Sequence, residues 1–338
     1  GNPMSTKPTI AQIAELADVS IATVSRFLNN TTAVKSGTSR RIMDAIKELN
    51  YPLPNDFLIP NYPKDKRVIL INVPSVSNPF YNDVIRGAQE AALRHNYYTL
   101  VNVQHINAFT ESSFFYLLTN MNLCGAIVLN ALDQKYFDLL YKTIPFVQCC
   151  EYIENQNLVS YTSIDDIEAA RKVTNDILST GRRKIGFLVG PERYKYARHR
   201  KIGYLQSLEA AGIPLNESWI IQLSELDFNM AVSSTYQLMS QSDHPDAIFA
   251  VSDVLAAAAI RGCRNAGLSV PQDVAVTGFD NVDISQATSP SITTINQPKY
   301  QLGYMACEFL LERLKNPNMP PKQVSLNTEL IIRESTQK

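Results

Sequence analysis

The sequence predicts an α/β protein, a small all-helical unit followed by two lobes of parallel sheet flanked by helices. Three observations carry this. Residues 9–29 hold two short amphipathic stretches separated by too few residues for anything but a tight turn. Pro52, Pro54, Pro60 and Pro63 then interrupt the chain, a linker composition in which no long helix runs. From Val68 onward, short apolar runs alternate with amphipathic stretches, the pattern of parallel sheets covered by helices on both faces.

In the N-terminal unit, Thr9 caps a helix whose apolar positions Ile10, Ile13, Ala14 and Ala17 recur at helical spacing, and Asp18-Val19 closes it. Ser20 caps a second helix. Val24, Phe27 and Leu28 take one side of it, and Ile21 and Ala22 share the opposite side with Ser25 and Arg26 at i,i+4 spacing. This is the pattern of a helix-turn-helix. A short exposed face with small or apolar groups and one arginine suits a major groove, where arginine grips guanine O6 and N7 and apolar groups meet a thymine methyl.

Beyond the linker, strands are expected over Val68–Val73, Tyr97–Val103, Ala126–Leu129, Phe146–Cys149, Ile185–Val189, Ala247–Val251 and Val274–Thr277. Helices are expected over Asn82–His95, Glu111–Asn120, Asp166–Leu178, Arg198–Ala210, Met230–Met239, Val254–Ala266 and Lys299–Leu314. The two series echo each other. Lys184–Pro191 leads to Gly203-Tyr204 in mid-helix much as Arg67–Pro74 leads to Gly87-Ala88, so two similar lobes are expected.

Composition narrows the function classes. With 338 residues, 45% of them hydrophobic and 19% charged, the chain is long enough for two or three cores of ordinary globular kind. No apolar run reaches the length of a membrane span, and no basic start leads into an apolar stretch with a cleavage site, so a cytoplasmic location is expected. Five cysteines, an odd number without a C-x-x-C pair, argue against a zinc site and a disulfide framework. Four histidines lack metal-ligand spacing, and the G-x-S-x-G, G-x-G-x-x-G and P-loop patterns are missing; no catalytic residues, metal or cofactor are expected. Residues 4–67 carry nine Lys or Arg against six Asp or Glu, whereas the whole chain is at −1. That asymmetry favours phosphates only modestly, so DNA affinity must lean on groove contacts and dimerisation.

The helix-turn-helix segment Val19-Ser20-Ile21-Ala22-Thr23-Val24-Ser25-Arg26-Phe27-Leu28-Asn29 resembles the headpiece of the lactose repressor (LacI/GalR) family of bacterial transcription regulators. Val34-Lys35-Ser36-Gly37-Thr38 with Ala45-Ile46-Lys47-Glu48-Leu49-Asn50-Tyr51 resembles that family's third headpiece helix. Asn78-Pro79-Phe80-Tyr81, Gly278-Phe279-Asp280-Asn281 and Thr293-Thr294-Ile295-Asn296-Gln297-Pro298 resemble signatures of its sensor domain. The resemblance implies a headpiece over residues 4–50, a hinge linker over 51–66, and a two-lobed, periplasmic-binding-protein-like sensor and dimerisation domain over 67–338. Lobe 1 would take about 67–164 and 296–326, and lobe 2 about 165–295 and 327–338, with three crossings between them. The implied partners are a pseudo-palindromic double-stranded DNA operator, a second copy of the chain, and a small-molecule effector. A sugar is the first expectation for that effector. A nucleoside is the alternative, because Gly278–Asp283 and Glu329–Thr336 look similar to the cytidine repressor branch. A transport solute-binding protein is the reading from another class, and the headpiece weighs against it.

The expected DNA-facing set is Thr9, Ser20, Ile21, Ala22, Thr23, Ser25, Arg26 and Asn29. The expected effector set comes from loops at the carboxyl ends of strands, where open parallel sheets bind ligands. Asp280 follows the strand ending at Thr277 and aims a carboxylate at the crevice; Asp253 and Gln297 complete a polar ring. The resemblance adds Arg200 as effector-binding arginine, and Phe80, Tyr81 and Phe228 as aromatic walls. From the residues alone, these three aromatics also fit an ordinary core, Asp253 also fits a helix cap, and Arg198 reads as a solvated charge or an ion-pair partner. In relatives a hinge leucine wedges into the minor groove. Here Pro60 holds its position, so the wedge is expected to be lost or shifted to Leu58 or Ile59.

Overall fold

A computed structural model describes residues 7–29, 32–53 and 66–337. Leu58, Ile59, Pro60 and Pro63, on which the wedge expectation rests, lie outside the described residues. The chain forms two compact units that divide between Lys66 and Arg67.

The first unit holds three helices, α1 (Ile10–Ala17), α2 (Ile21–Asn29) and α3 (Ser36–Glu48). Thr9 and Gln12 form a reciprocal capping box at the start of α1, with Thr9 N donating to Gln12 Oε1 at 2.8 Å. Asp18 ends α1 in the left-handed region at φ 52°, a conformation that short polar side chains tolerate. Ser20 Oγ accepts from the Thr23 amide at 3.1 Å and starts α2. Ile13, Ala14 and Ala17, Val24 and Leu28, and Ile42, Ala45 and Ile46 close a single small core.

The second unit is built on two parallel sheets. The six-stranded one runs β11-β5-β4-β3-β1-β2, from β1 (Val68–Val73), β2 (Tyr98–Val103), β3 (Leu123–Val128), β4 (Phe146–Cys149), β5 (Tyr161–Ile164) and β11 (Gln323–Leu326). Around it lie α4 (Phe80–Arg94), α5 (Glu111–Asn120), α6 (Gln134–Thr143) and α12 (Lys299–Lys315), which make lobe 1. The four-stranded sheet runs β7-β6-β8-β9, from β6 (Ile185–Val189), β7 (Ile220–Gln222), β8 (Ala247–Ala250) and β9 (Ala275–Thr277). Lobe 2 surrounds it with α7 (Asp166–Ser179), α8 (Lys195–Ala210), α9 (Phe228–Met239), α10 (Asp253–Asn265) and the single turn α11 (Ile284–Ala287). An antiparallel ribbon pairs β10 (Thr294–Asn296) with β12 (Glu329–Ile331). The chain passes from β5 into α7, from β10 into α12, and from β11 into β12, linking the lobes three times. Among the described residues no helix is long and apolar enough to cross a membrane.

Several boundaries differ from expectation, and the differences matter for the site. α4 begins at Phe80 and α8 at Lys195, each earlier than its apolar periodicity begins, so Phe80, Tyr81, Lys195 and Tyr196 stand in first turns beside the crevice. The apolar pattern announces neither α6 nor β5. β5 reads Tyr-Thr-Ser-Ile, and its two polar residues are buried because their hydroxyls donate to the carbonyls of Leu302 and Cys150, at 2.8 Å each. The echoed glycines have a packing cause: a Cβ on Gly87 would fall 2.0 Å from the Tyr300 carbonyl oxygen, and one on Gly203 2.3 Å from that of Ile167.

Candidate functional sites: a helix face and an interlobe cleft

On α2 the outward side chains are those expected. Ile21 is 57% exposed, and Ala22, Arg26 and Asn29 are exposed with it; Thr23 and Ser25 are half-buried. Arg26 lies along its own helix, Nε donating to Ala22 O at 3.3 Å and Nη2 to Thr23 Oγ1 at 3.2 Å. Asn29 reaches back to Ser25 Oγ at 3.3 Å. The face therefore presents donors held only by long, solvent-exposed bonds, free to exchange them for a nucleic-acid partner.

In the second unit a cavity of about 400 Å³ opens between the lobes at the carboxyl ends of the strands. Six of the seven expected effector residues line it: Phe80, Tyr81, Arg200, Phe228, Asp280 and Gln297. Asp280 is buried and stands at a positive φ of 114°. Gln297 Nε2 donates to Oδ1 at 2.8 Å, and Asn78 Nδ2 reaches Oδ2 from lobe 1 at 3.4 Å. Lys299 Nζ donates to the carbonyl of Asp280 at 2.7 Å rather than to its carboxylate. Burial pushes the Asp280 carboxyl up to about 6, against the opposing pull of Arg200.

Arg200 is buried and fixed on three sides. Nε donates to Asp166 Oδ1 at 2.9 Å, Nη1 to Val251 O at 2.6 Å, and the guanidinium stacks 3.5 Å from the centre of the Phe279 ring. Asp166 is shared with Lys195, whose Nζ lies 2.9 Å from Oδ2. Burial of Asp166 would raise its carboxyl, but Lys195 and Arg200 outweigh it and hold it below the usual range. Arg198, as expected, is exposed; its Nη1 donates to the carbonyls of Glu192 and Arg193.

Asp253 is a correction. It does not stand on the cavity wall: it is fully buried, with Oδ1 accepting from Thr294 Oγ1 at 2.6 Å and Oδ2 from the Val282 amide at 2.8 Å. Nor does it cap α10, since Ser252 does so through the Leu255 amide at 3.1 Å. Burial, reinforced by the Asp280 charge, pushes its carboxyl to about 7. The first residue of the helix turns inward, and Ser252 takes the place on the wall.

The aromatic walls are more extensive than expected. Phe80 and Tyr81 meet edge to face with centroids 5.4 Å apart, and Tyr194 and Tyr196 stack at 5.1 Å; all four rings line the cavity. Phe228 is 37% exposed at the start of α9, so it is no core aromatic. Asn78, Glu151, Asp166, Tyr194 and Tyr196 were missed from the sequence. A signal was present in Gly190-Pro191 followed by Tyr194-Lys195-Tyr196, a strand end leading into alternating aromatic and charged residues, but the later expected start of α8 hid it.

Comparison with known proteins accords with this architecture. Residues 9–55 match the model of bacterial regulatory proteins of the lacI family, and residues 174–336 match that of a periplasmic binding protein-like domain. The HTH-type transcriptional repressor CytR of Escherichia coli (strain K12) is 32% identical over 336 residues, covering 98% of this chain and 97% of that protein. The HTH-type transcriptional repressor PurR of Photobacterium profundum is 31% identical over 330 residues, 97% of this chain and 98% of that one. Among solved structures, a complex of the transcriptional regulator CelR with cellobiose is 27% identical and superposes with a TM-score of 0.75, over 97% of this chain and 100% of that chain. The three-helix N-terminal unit, the two-lobed periplasmic-binding-protein-like unit and the near full-length likeness to these repressors agree, and the chain belongs to the LacI family of bacterial regulatory proteins.

Proposed function

We propose that this protein is a homodimeric, cytoplasmic repressor that reads a pseudo-palindromic operator with the exposed face of α2 and is controlled by an uncharged sugar in the interlobe cleft. Arg26 is the base-reading cation, with Ile21, Ala22, Thr23, Ser25 and Asn29 beside it and the caps Thr9 and Ser20 at the helix ends facing the phosphates. In the cleft, Asp280 and Gln297 take sugar hydroxyls, Arg200 donates to ring or hydroxyl oxygens, and Phe80, Tyr81 and Phe228 cover the apolar faces of the ring.

One observation carries the choice of an uncharged ligand: the cations in and around the cavity already face carboxylates or carbonyls of the protein, which leaves Arg200 able to donate through its remaining N–H groups but no cation to balance an anion. Arg200 and Lys195 share Asp166, Lys299 is held by backbone carbonyls, and Arg193 lies 4.0 Å from Glu225. Glu151, Asp166, Asp280, Glu225 and Asp227 surround the same space. A phosphate there would meet more repulsion than attraction. The likeness to a regulator solved with cellobiose supports the sugar class. A nucleoside is the second reading, favoured by the paired rings of Tyr194 and Tyr196, which suit a flat base beside a ribose.

Calorimetry with neutral mono- and disaccharides, ribonucleosides and the phosphates of both tests the proposal. The expected result is binding of a neutral compound that is lost in Asp280→Ala while operator affinity is kept. Tight binding of a phosphorylated compound, or unchanged ligand affinity in Asp280→Ala, would overturn it.

A further inference from the structure

Glu151 follows β4 in lobe 1, yet both oxygens of its carboxylate are taken up by lobe 2. Oε1 accepts from the backbone amide of Lys195 at 2.5 Å and Oε2 from that of Tyr196 at 3.2 Å. These are the first two residues of α8, whose N-cap residue Tyr194 supplies no side-chain bond. First-turn amides have no partner within a helix, and the positive end of the helix dipole favours a carboxylate. A residue distant in sequence and from the other lobe thus fills the role that serine or aspartate plays at an ordinary helix start.

The first two turns of this helix are tied to lobe 1 twice more. Lys195 Nζ donates to Ser163 Oγ on β5 at 3.2 Å, and His199 pairs with Glu154, three residues beyond Glu151. Glu151 is 5% exposed, and burial holds its carboxyl above the usual range despite the nearby Lys195 charge. Lys195 does not replace the backbone contacts, because its ammonium is engaged by Asp166 and Ser163. α8 also carries Arg200, so whatever fixes the start of this helix fixes where that guanidinium stands relative to Asn78 and Tyr81 of lobe 1.

We infer that Glu151 is a positioning residue of the sensor: it fastens α8, and Arg200 with it, to lobe 1, and so holds the two lobes together before any effector enters. The effector then closes a cleft already biased towards closure, and its apparent affinity scales with the fraction of molecules so fastened. The inference rests on the cleft being the sensing site, but its test uses no effector and is independent of which compound binds.

The test is amide hydrogen exchange on the full-length protein with Glu151→Gln and Glu151→Ala. Glutamine keeps the size and one acceptor oxygen and removes the charge. In both variants the Lys195 and Tyr196 amides should exchange at least about tenfold faster, as expected when a helix start loses its cap. The segments meeting across the cleft, residues 78–81 and 280–297, should quicken with them, while β1 and β8 keep their wild-type protection. Glu151→Asp, which restores the charge on a shorter arm, should recover part of the protection. Faster exchange confined to Lys195 and Tyr196 would reduce Glu151 to a local helix cap and overturn the inference. Loss of protection throughout β1 and β8 in Glu151→Gln would also overturn it, by making the residue a requirement of the fold.

Discussion

Gly87 and Gly303 face each other across the contact between α4 and α12, each leaving room for the other helix's backbone. A Cβ on Gly303 would sit 1.9 Å from the carbonyl oxygen of Val84, and one on Gly87 would sit 2.0 Å from that of Tyr300. The obstacle is main chain on both sides, so neither helix can yield by turning a side chain. Gly303→Ala should destabilise the sensor by about 3 kcal/mol, the upper end of the usual cost of overpacking. Thermal unfolding should show this as a drop of roughly 5–10 °C. An unchanged melting temperature would mean the two helices separate at little cost.

Arg26 should prove a base reader. Its bonds to Ala22 and Thr23 are exposed and long, so leaving them for guanine costs little. Arg26→Ala should weaken operator binding by about 1–3 kcal/mol and relax preference at one G·C pair in each half-site. Gel-shift titrations at fixed salt on operators varied at single positions would measure it. Equal weakening on every sequence would make Arg26 a phosphate contact.

The carboxyls of Asp280 and Asp253, raised to about 6 and about 7, tie stability to pH. The folded chain holds these protons more tightly than the unfolded chain does. Their contribution is therefore greatest below about pH 4 and declines as pH rises from there to about 7. Asp280→Asn keeps the shape, tolerates the positive φ and removes one titration. Relative to wild type, the variant should gain about 1–3 kcal/mol between pH 4.5 and 7.5 in urea unfolding. A difference that stays constant over that range would remove Asp280 from the linkage.

Legibility from sequence followed the source of each element's stability. β1, β4 and β6 are held mainly by apolar burial, and their apolar runs, broken only by Asn72 in β1, Gln148 in β4 and Gly186 in β6, marked them to the residue. The start of α8 is held by Glu151 from elsewhere in the chain, and nothing local to Lys195 announces that. β5 is buried through the hydrogen bonds of Thr162 and Ser163, which no hydrophobic pattern reveals. The cleft residues were legible as far as strand ends and family signatures reached: Asp280 and Gln297 stand together as expected. Asp253 shares the strand-end position of Asp280, but it starts a helix that carries its side chain inward, and spacing alone does not separate the two.

The threefold passage between lobes also sets the order in which a newly made chain can become functional. The six-stranded sheet takes five strands from residues 68–164 and the sixth, β11, from residues 323–326; α12, which packs on α4, arrives almost as late. During synthesis the early strands of lobe 1 must wait, with apolar surface open, until lobe 2 has been made. The headpiece has no such dependence, since its core closes entirely within residues 10–53. A chain still on the ribosome can thus hold a finished helix-turn-helix unit long before it holds a finished two-lobed domain. Any control exerted through the interlobe cleft would be the last property the molecule acquires.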